Sequence, residues 1–214
     1  MKYLHDSPNY SFYLSPVTQG EIENYLKSLK TSSAGFDEIS PYVLKHISNL
    51  LSIPLKHIIN LTFKKGVFPD ELKKAKVVPI FKSGTRTDLS NYRPISVLPA
   101  FSKVFEKVLT TRLVNFIEFN NLFADSQHGF RSGRSTQSAI LQFTSNVYKY
   151  LEKKCYLAGI FLDLSKAFDS ICHSILLKKL CNFGIRGLPL RLIESYLTNR
   201  SQAVYYIQCK LFSL

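Results

Sequence analysis

The sequence contains no long apolar run. Nowhere in its 214 residues does a stretch approach the ~20 apolar residues that a membrane-spanning helix requires. The N-terminus also lacks the hydrophobic core of a signal peptide, because His5, Asp6 and Pro8 stand close to its start. We therefore expect no membrane partner and a location in the cytoplasm or the nucleus.

Paired cysteines are also lacking. The four cysteines are Cys155, Cys172, Cys181 and Cys209. No gap between them matches the short paired spacing of a structural zinc site. Without a secretory signal, the thiols are expected to be reduced.

Acidic residues are scarce relative to basic ones. The chain has 15 Asp and Glu against 28 Lys and Arg, which gives a net charge of +13. Residues 1–60 hold five of each sign, so the whole excess lies in residues 61–214. This asymmetry favours a polyanionic partner, with nucleic acid ahead of an anionic membrane surface.

The hydrophobic pattern predicts several helices and a few extended segments. Hydrophobic residues make up 45% of the chain, which is typical of a packed core. Capping signals and helical spacing predict helices starting after Thr18, at Tyr42–Ile47, Leu50–Phe63, Phe101–Phe119, about Thr136–Leu151, Ile171–Leu180 and Leu190–Leu197. Extended segments are predicted at 77–81, 91–98, 156–162 and 201–211.

Two cations stand on the arms of a predicted hairpin. Lys82 follows the first extended segment, and Arg93 lies in the second. Cations on adjacent strands would form a phosphate clamp, because arginine grips phosphate oxygens with a bidentate fork. A solvated edge strand, whose lysines only discourage aggregation, explains the same residues equally well.

An apolar run from Tyr156 to Leu162 ends at the carboxylate of Asp163. A bounded run of this length is consistent with a buried strand. A carboxylate at its end indicates a metal ligand, because burying an unpaired charge is costly. Asp169 is instead expected to cap the helix that follows, since Asp is a favoured N-cap.

A basic loop broken by glycines occupies residues 126–136. It contains Phe130, Arg131 and Arg134. Backbone amides beside glycines, together with arginines and an aromatic ring, suit a nucleic-acid backbone and a stacked base. Taken alone, this signal is weak.

The motifs in their order resemble those of reverse transcriptases of non-LTR (LINE-type) retrotransposons. They are Ser33–Ser40, Gly66–Val67–Phe68–Pro69, Val78–Gly84, Asn91–Tyr92–Arg93–Pro94–Ile95–Ser96, Gln127–His128–Gly129–Phe130–Arg131, Phe161–Asp169 and Ser195–Gln202. The resemblance covers nearly the whole chain. It implies a right-hand polymerase of the α+β class, with helices packed on a small antiparallel sheet. The fingers would lie at residues 1–155 and the beginning of the palm at 156–214.

The resemblance also implies roles for individual residues. Asp163 and the main-chain carbonyl of Leu164 would hold Mg²⁺, of which the intact enzyme uses two ions. Lys82 and Arg93 would bind the triphosphate of a deoxynucleotide, and Phe168 would exclude a 2′-hydroxyl. Template RNA, paired with a DNA primer, would lie along the residues Gln127, Phe130, Arg131 and Arg134.

The sequence departs from the family where two further motifs are expected. The Gly-Val-Pro-Gln-Gly stretch and the Ala-Asp-Asp turn expected after the last strand do not occur in these 214 residues. One carboxylate does not hold two metal ions, so the chain alone is expected to be inactive. It is interpreted as an N-terminal piece of an RNA-directed DNA polymerase. The alternatives are a non-catalytic nucleic-acid binder and a relic of a degraded element.

Overall fold

The computed structural model describes residues 8–164 and 167–204. In these residues the helices are α1 (Gln19–Lys27), α2 (Pro41–His46), α3 (Ser48–Lys65), α4 (Ala100–Phe119), α5 (Thr136–Glu152), α6 (His173–Asn182) and α7 (Leu188–Leu197). The strands are β1 (Lys74–Phe81), β2 (Tyr92–Val97) and β3 (Ser201–Val204), and single 3-10 turns lie at Asp70–Lys73 and Leu89–Asn91. This mixture of helices with one small sheet confirms the α+β class.

Local signals account for where several helices begin and end. The hydroxyl of Thr18 accepts a hydrogen bond from the Glu21 amide at 3.2 Å and caps α1, as predicted. Pro41 occupies the first turn of α2, where its missing amide hydrogen costs nothing. Gly66 ends α3 in the left-handed region with φ of 66°, which glycine adopts without strain.

The sheet has the strand order β2-β1-β3. The β1–β2 pair is antiparallel and β1–β3 is parallel, so the prediction of an antiparallel sheet is wrong for β3. A parallel neighbour needs a long crossover connection, and the helices between β1 and β3 supply it. β3 pairs only with Lys74–Val77 of β1, so at Pro79 the only neighbouring strand is β2. On the side of β1 that β3 does not reach, no partner requires the amide hydrogen that proline lacks.

The described residues divide into two compact units. The first runs up to Val114 and resumes at His173, and the second comprises residues 115–172. The core of the first unit lies where α1 packs on α3 and α3 packs on α7. Its fully buried apolar side chains include Ile22, Leu26, Leu44, Ile59, Val104, Val108, Ile185 and Leu192. Each contributes about 1.5–3 kcal/mol by leaving water.

The second unit contains no buried residue among those described. The predicted buried strand at 156–162 does not form: residues 155–164 are irregular, and the side chains of Ile160, Phe161 and Leu162 are 83%, 83% and 88% exposed. A strand needs a neighbour to pair its backbone groups. In the described part of the second unit no other segment forms a strand, so this run has no ladder to join.

The helix after Asp169 begins later than predicted. α6 starts at His173, so Asp169 lies four positions ahead of its first residue and does not occupy the N-cap. None of the helices in the described ranges is long and apolar enough to span a bilayer.

Candidate functional site

The two predicted phosphate-binding cations lie on one face of the β1–β2 hairpin. Ile80 is directly opposite Arg93, and the Lys82 amide donates to the Asn91 carbonyl at 2.8 Å, which extends the same register. Side chains two positions apart in a strand share a face. Lys82 therefore projects from the face that Ile80 and Arg93 occupy, as a diagonal cross-strand neighbour of Arg93.

The turn that joins the two strands is held by its own hydrogen bonds. The Asn91 amide group donates to the Thr85 carbonyl at 2.9 Å, and the Ser90 amide donates to the Asp88 carboxylate at 2.8 Å. Gly84 has φ of 93°, and a Cβ there would lie 2.6 Å from the Asn91 side chain. Hydrogen bonds from Ser90 hold the pKa of the Asp88 carboxyl below its ordinary value. The negative charge of Asp88 is thus engaged within the turn.

Charge is compensated at one end of β1 and not at the other. Lysines at its start are paired with acids of the preceding turn: Lys73–Asp70 at 2.7 Å and Lys74–Glu71 at 2.9 Å. Lys82 and Arg93 at the other end are exposed, and neither forms an ion pair with any described residue. The face that Ile80 and Arg93 occupy thus presents to solvent two cations without an ion pair to a described residue, while Arg86 of the turn lies 5.4 Å from the centre of the Phe81 ring.

Arg131 holds the basic loop in place from within. Its guanidinium donates to both Glu118 oxygens, at 3.1 and 2.8 Å, and to the Ala124 carbonyl at 3.2 Å. It also lies 4.9 Å from the centre of the Phe123 ring. Hydrogen bonds from Arg131 lower the pKa of the Glu118 carboxyl. The Arg131 side chain is only 14% exposed, so its charge serves the loop itself.

The other template-binding candidates are available to solvent to different degrees. Arg134 is exposed and has no ion pair among the described residues. Phe130 has φ of 62° and is 88% exposed, an unusual conformation for a bulky residue. Its ring meets Phe168 edge to face, with centroids 6.3 Å apart. Gln127 donates to the Gly129 carbonyl at 3.3 Å, so it is tied into the loop.

His128 was not among the predicted site residues. Its Nδ1 lies 2.8 Å from the Ser138 hydroxyl, and its Nε2 meets the Gln142 side chain. Both partners belong to α5, which Ser135 and Ser138 cap reciprocally. His128 thus anchors the basic loop to the first turns of α5. No local sequence pattern identifies this contact, because its partners lie 10 and 14 residues away.

Asp163 stands in the exposed irregular segment of the second unit. Across residues 8–164 and 167–204, no cluster of three or more potential metal ligands occurs. Asp163 and the Leu164 carbonyl offer oxygen ligands of the type that Mg²⁺ prefers. In a two-metal site the two ions lie about 3.5–4 Å apart. Such a site needs further carboxylates that both ions can share. The described residues alone therefore do not fit such a site.

The structure brings some predicted residues together within each unit. Lys82 and Arg93 share a face of the hairpin in the first unit. Phe130 and Phe168 are in ring contact in the second unit, which also carries Asp163.

Comparisons with known proteins point in one direction. Residues 73–211 match the family model described as reverse transcriptase (RNA-dependent DNA polymerase). The chain is similar to the RNA-directed DNA polymerase from the mobile element jockey of Drosophila melanogaster, with 31% identity over 94% of this chain and 22% of that protein. It is also similar to the probable RNA-directed DNA polymerase from transposon BS of the same organism, with 30% identity over 79% of this chain and 19% of that protein. The chain spans about a fifth of the length of these relatives.

Proposed function

The chain belongs to the reverse transcriptase family and is related to the polymerases of non-LTR retrotransposons, and on that premise we propose that it supplies the nucleotide-binding and template-binding part of an RNA-directed DNA polymerase. Residues 1–155 would be the fingers and residues 156–214 the beginning of the palm. Its substrates would be a deoxynucleoside triphosphate and an RNA template carrying a DNA primer.

The observation that carries this proposal is the pair of uncompensated cations on one hairpin face. Lys82 and Arg93 project from the same side of β1 and β2, next to a turn that is already hydrogen-bonded. Two like charges at diagonal positions of one face repel each other, which costs free energy. A triphosphate would remove this cost by accepting charge-assisted bonds from both side chains.

The basic loop and the aromatic pair support template binding. Arg134 offers an exposed positive charge, and Phe130 and Phe168 offer exposed ring faces beside each other. Stacking of a base on an aromatic side chain contributes about 1–3 kcal/mol. Phe168 would in addition contact the sugar of the incoming nucleotide and exclude a 2′-hydroxyl.

Catalysis requires further carboxylates beside Asp163, and the part of the chain that the structure describes brings none to it. Asp163 and the Leu164 carbonyl would be two of the ligands of Mg²⁺ in the intact enzyme. Bound Mg²⁺ supplies activation of the primer hydroxyl and neutralisation of the leaving phosphate. Within residues 8–164 and 167–204, no further group completes this site. The chain alone is expected to leave a primer–template unextended in a gel assay with all four deoxynucleotides.

The proposal is tested by measuring the binding of deoxythymidine triphosphate to the purified chain with isothermal titration calorimetry. Replacing both Lys82 and Arg93 with alanine should weaken binding by about tenfold per residue, because each loses a charge-assisted contact. The matched control replaces Lys64 and Lys65, the last two residues of α3, with alanine. This change removes the same total charge.

The control pair should change the affinity by less than about twofold, as expected for exposed charges that make no direct contact. An equal loss in both double variants would mean that the triphosphate responds to net charge alone. That result would remove the hairpin as a nucleotide site.

A second candidate is nucleic-acid binding without catalysis. The exposed aromatic pair and Arg134 favour it, because single-stranded nucleic acid binds to such stacking surfaces beside cations. In this case RNA would bind with steep salt dependence while deoxynucleoside triphosphates would not bind the hairpin. The same calorimetric experiment, repeated with single-stranded RNA, separates the two candidates.

A further inference from the structure

Three lysines line a cavity in the first unit that is separate from the hairpin. The cavity has a volume of about 520 Å³ and lies between the end of α1, the loop that follows it and the first turns of α4. Lys30 comes from the loop, and Lys103 and Lys107 come from α4. We call it the lysine pocket; Leu29 and Val104 contribute apolar walls.

The pocket is assembled by a close backbone approach. A Cβ on Gly35 would lie 2.7 Å from the Pro99 nitrogen, so the loop after α1 can close onto the chain ahead of α4 only at a glycine. Lys103 and Lys107 are one turn apart and therefore share a face of α4. The Lys103 ammonium donates to the Ser32 hydroxyl at 2.8 Å, which ties the loop to the helix.

No carboxylate compensates the charge of the lysine pocket. None of the three lysines forms an ion pair with a described residue, and no acidic residue lines the cavity. Two acids of α1 are paired with other cations, Glu23 with Lys27 and Glu21 with Arg112, and Glu106 of α4 accepts a hydrogen bond from Tyr196. The carbonyls that end α1 carry only about half a negative charge. Three positive charges therefore exceed what the fold itself supplies.

We propose that the lysine pocket binds a phosphate group, carried either by a polynucleotide backbone or by a free polyphosphate. Lysine binds phosphate as a compact charge with three donors, and a phosphate has enough oxygens to accept from several ammonium groups at once. The Ser32 hydroxyl, which accepts from Lys103, retains its own proton to donate. The site is independent of the hairpin, since it shares no residue with it.

The experiment uses the whole chain carrying Lys82→Ala and Arg93→Ala, so that binding to the hairpin does not contribute. Inorganic pyrophosphate is titrated by calorimetry, and a fluorescein-labelled short oligouridylate is titrated by anisotropy. Adding Lys103→Ala and Lys107→Ala should weaken binding by about tenfold or more, because charge-assisted bonds to one phosphate are lost. The control adds Lys45→Ala and Lys56→Ala, which remove the same charge from α2 and α3.

The two probes distinguish the sources of the phosphate. Loss of oligouridylate binding alone assigns the pocket to a polynucleotide backbone, and loss of pyrophosphate binding alone assigns it to a free polyphosphate. Loss of both supports a general phosphate site. Unchanged binding of both probes, or an equal loss in the control pair, overturns the proposal. If the α4 variant fails to fold, Lys30→Ala tests the same pocket from the exposed loop.

Discussion

At the scale of single residues, the two arginines of the basic loop have different roles. Arg131 is bound to Glu118 and Ala124 inside the second unit, whereas Arg134 is exposed and forms no ion pair with a described residue. The sequence predicts both as template contacts. The structure adds that Arg131 shapes the loop through its bond to Glu118. No local sequence pattern identifies this partner, because it lies 13 residues away.

Alanine substitutions should separate these roles. Arg134→Ala should weaken binding of single-stranded RNA and lower the salt slope of binding by about one, because one phosphate contact is lost. Its thermal unfolding should stay unchanged. Arg131→Ala should increase protease cleavage near residues 124–131, because the loop loses its internal anchor. Equal RNA affinity in Arg134→Ala and the unsubstituted chain would contradict this division.

A second ion pair ties the extended N-terminal segment to the core. Arg112 donates to both Glu21 oxygens at 2.7 and 3.0 Å and to the Ser15 carbonyl at 2.9 Å. Its hydrogen bonds hold the pKa of Glu21 below the ordinary value of 4.5. Because the pKa of Glu21 is lower in the folded state, the pair stabilises the fold at pH values above the pKa that Glu21 has in the unfolded chain. This stabilisation is lost as pH falls through the folded pKa.

We therefore expect Glu21→Gln to lower the melting temperature near pH 7. The difference from the unsubstituted chain should shrink as the pH falls below 4.5, the ordinary value. Glu23→Gln is the control, since its partner Lys27 is exposed and lies one turn along the same helix, and such a pair contributes about 0.3–0.5 kcal/mol. If the difference in melting temperature stayed constant down to low pH, the charge of Glu21 would not be the source of its stabilising effect.

At the scale of elements, the sequence predicts helices better than strands. The caps at Thr18 and Gly66 and the helical spacing of apolar residues are local signals, and the helices they predict form. The hairpin is also local, because its two arms lie close in sequence. The run at 156–162 has the composition of a strand, but a strand forms only beside a partner. Composition does not reveal whether that partner is present.

Glycines at two helix ends provide a test of the element-scale argument. Gly66→Ala should lower the free energy of unfolding by about 1 kcal/mol or more, because alanine is strained at φ of 66° and its Cβ would approach the Leu188 carbonyl to 3.2 Å. Gly20→Ala in α1 should be neutral or stabilising, since nothing lies within 4 Å of the added Cβ. Urea denaturation measures both. Equal effects would show that left-handed geometry does not end α3.

At the scale of the whole molecule, charge and exposed apolar surface are unevenly distributed. The excess positive charge lies after residue 60, in the part that contains the hairpin and the basic loop. The second unit carries exposed apolar side chains along residues 156–164. Large exposed apolar patches promote association between proteins. The isolated chain is therefore expected to self-associate.

Replacing Ile160 and Leu162 with serine should reduce light scattering at a given concentration. The melting temperature should not fall, because both side chains are more than four-fifths exposed, at 83% and 88%. Ile22→Ser, at a fully buried position, is the opposite control and should unfold the chain. A clear loss of stability in the double serine variant would show that the segment is packed in solution.

Photo-crosslinking of a deoxynucleoside triphosphate to the chain would identify the residues that contact its phosphates. An aryl azide attached to the γ-phosphate of deoxythymidine triphosphate is irradiated with the purified protein, and the labelled peptides are identified by mass spectrometry. The account predicts labelling within β1, the turn and β2, and its loss when Lys82 and Arg93 are replaced. Labelling confined to the lysine pocket, or spread evenly over basic peptides, would contradict the assignment of the hairpin as the triphosphate site.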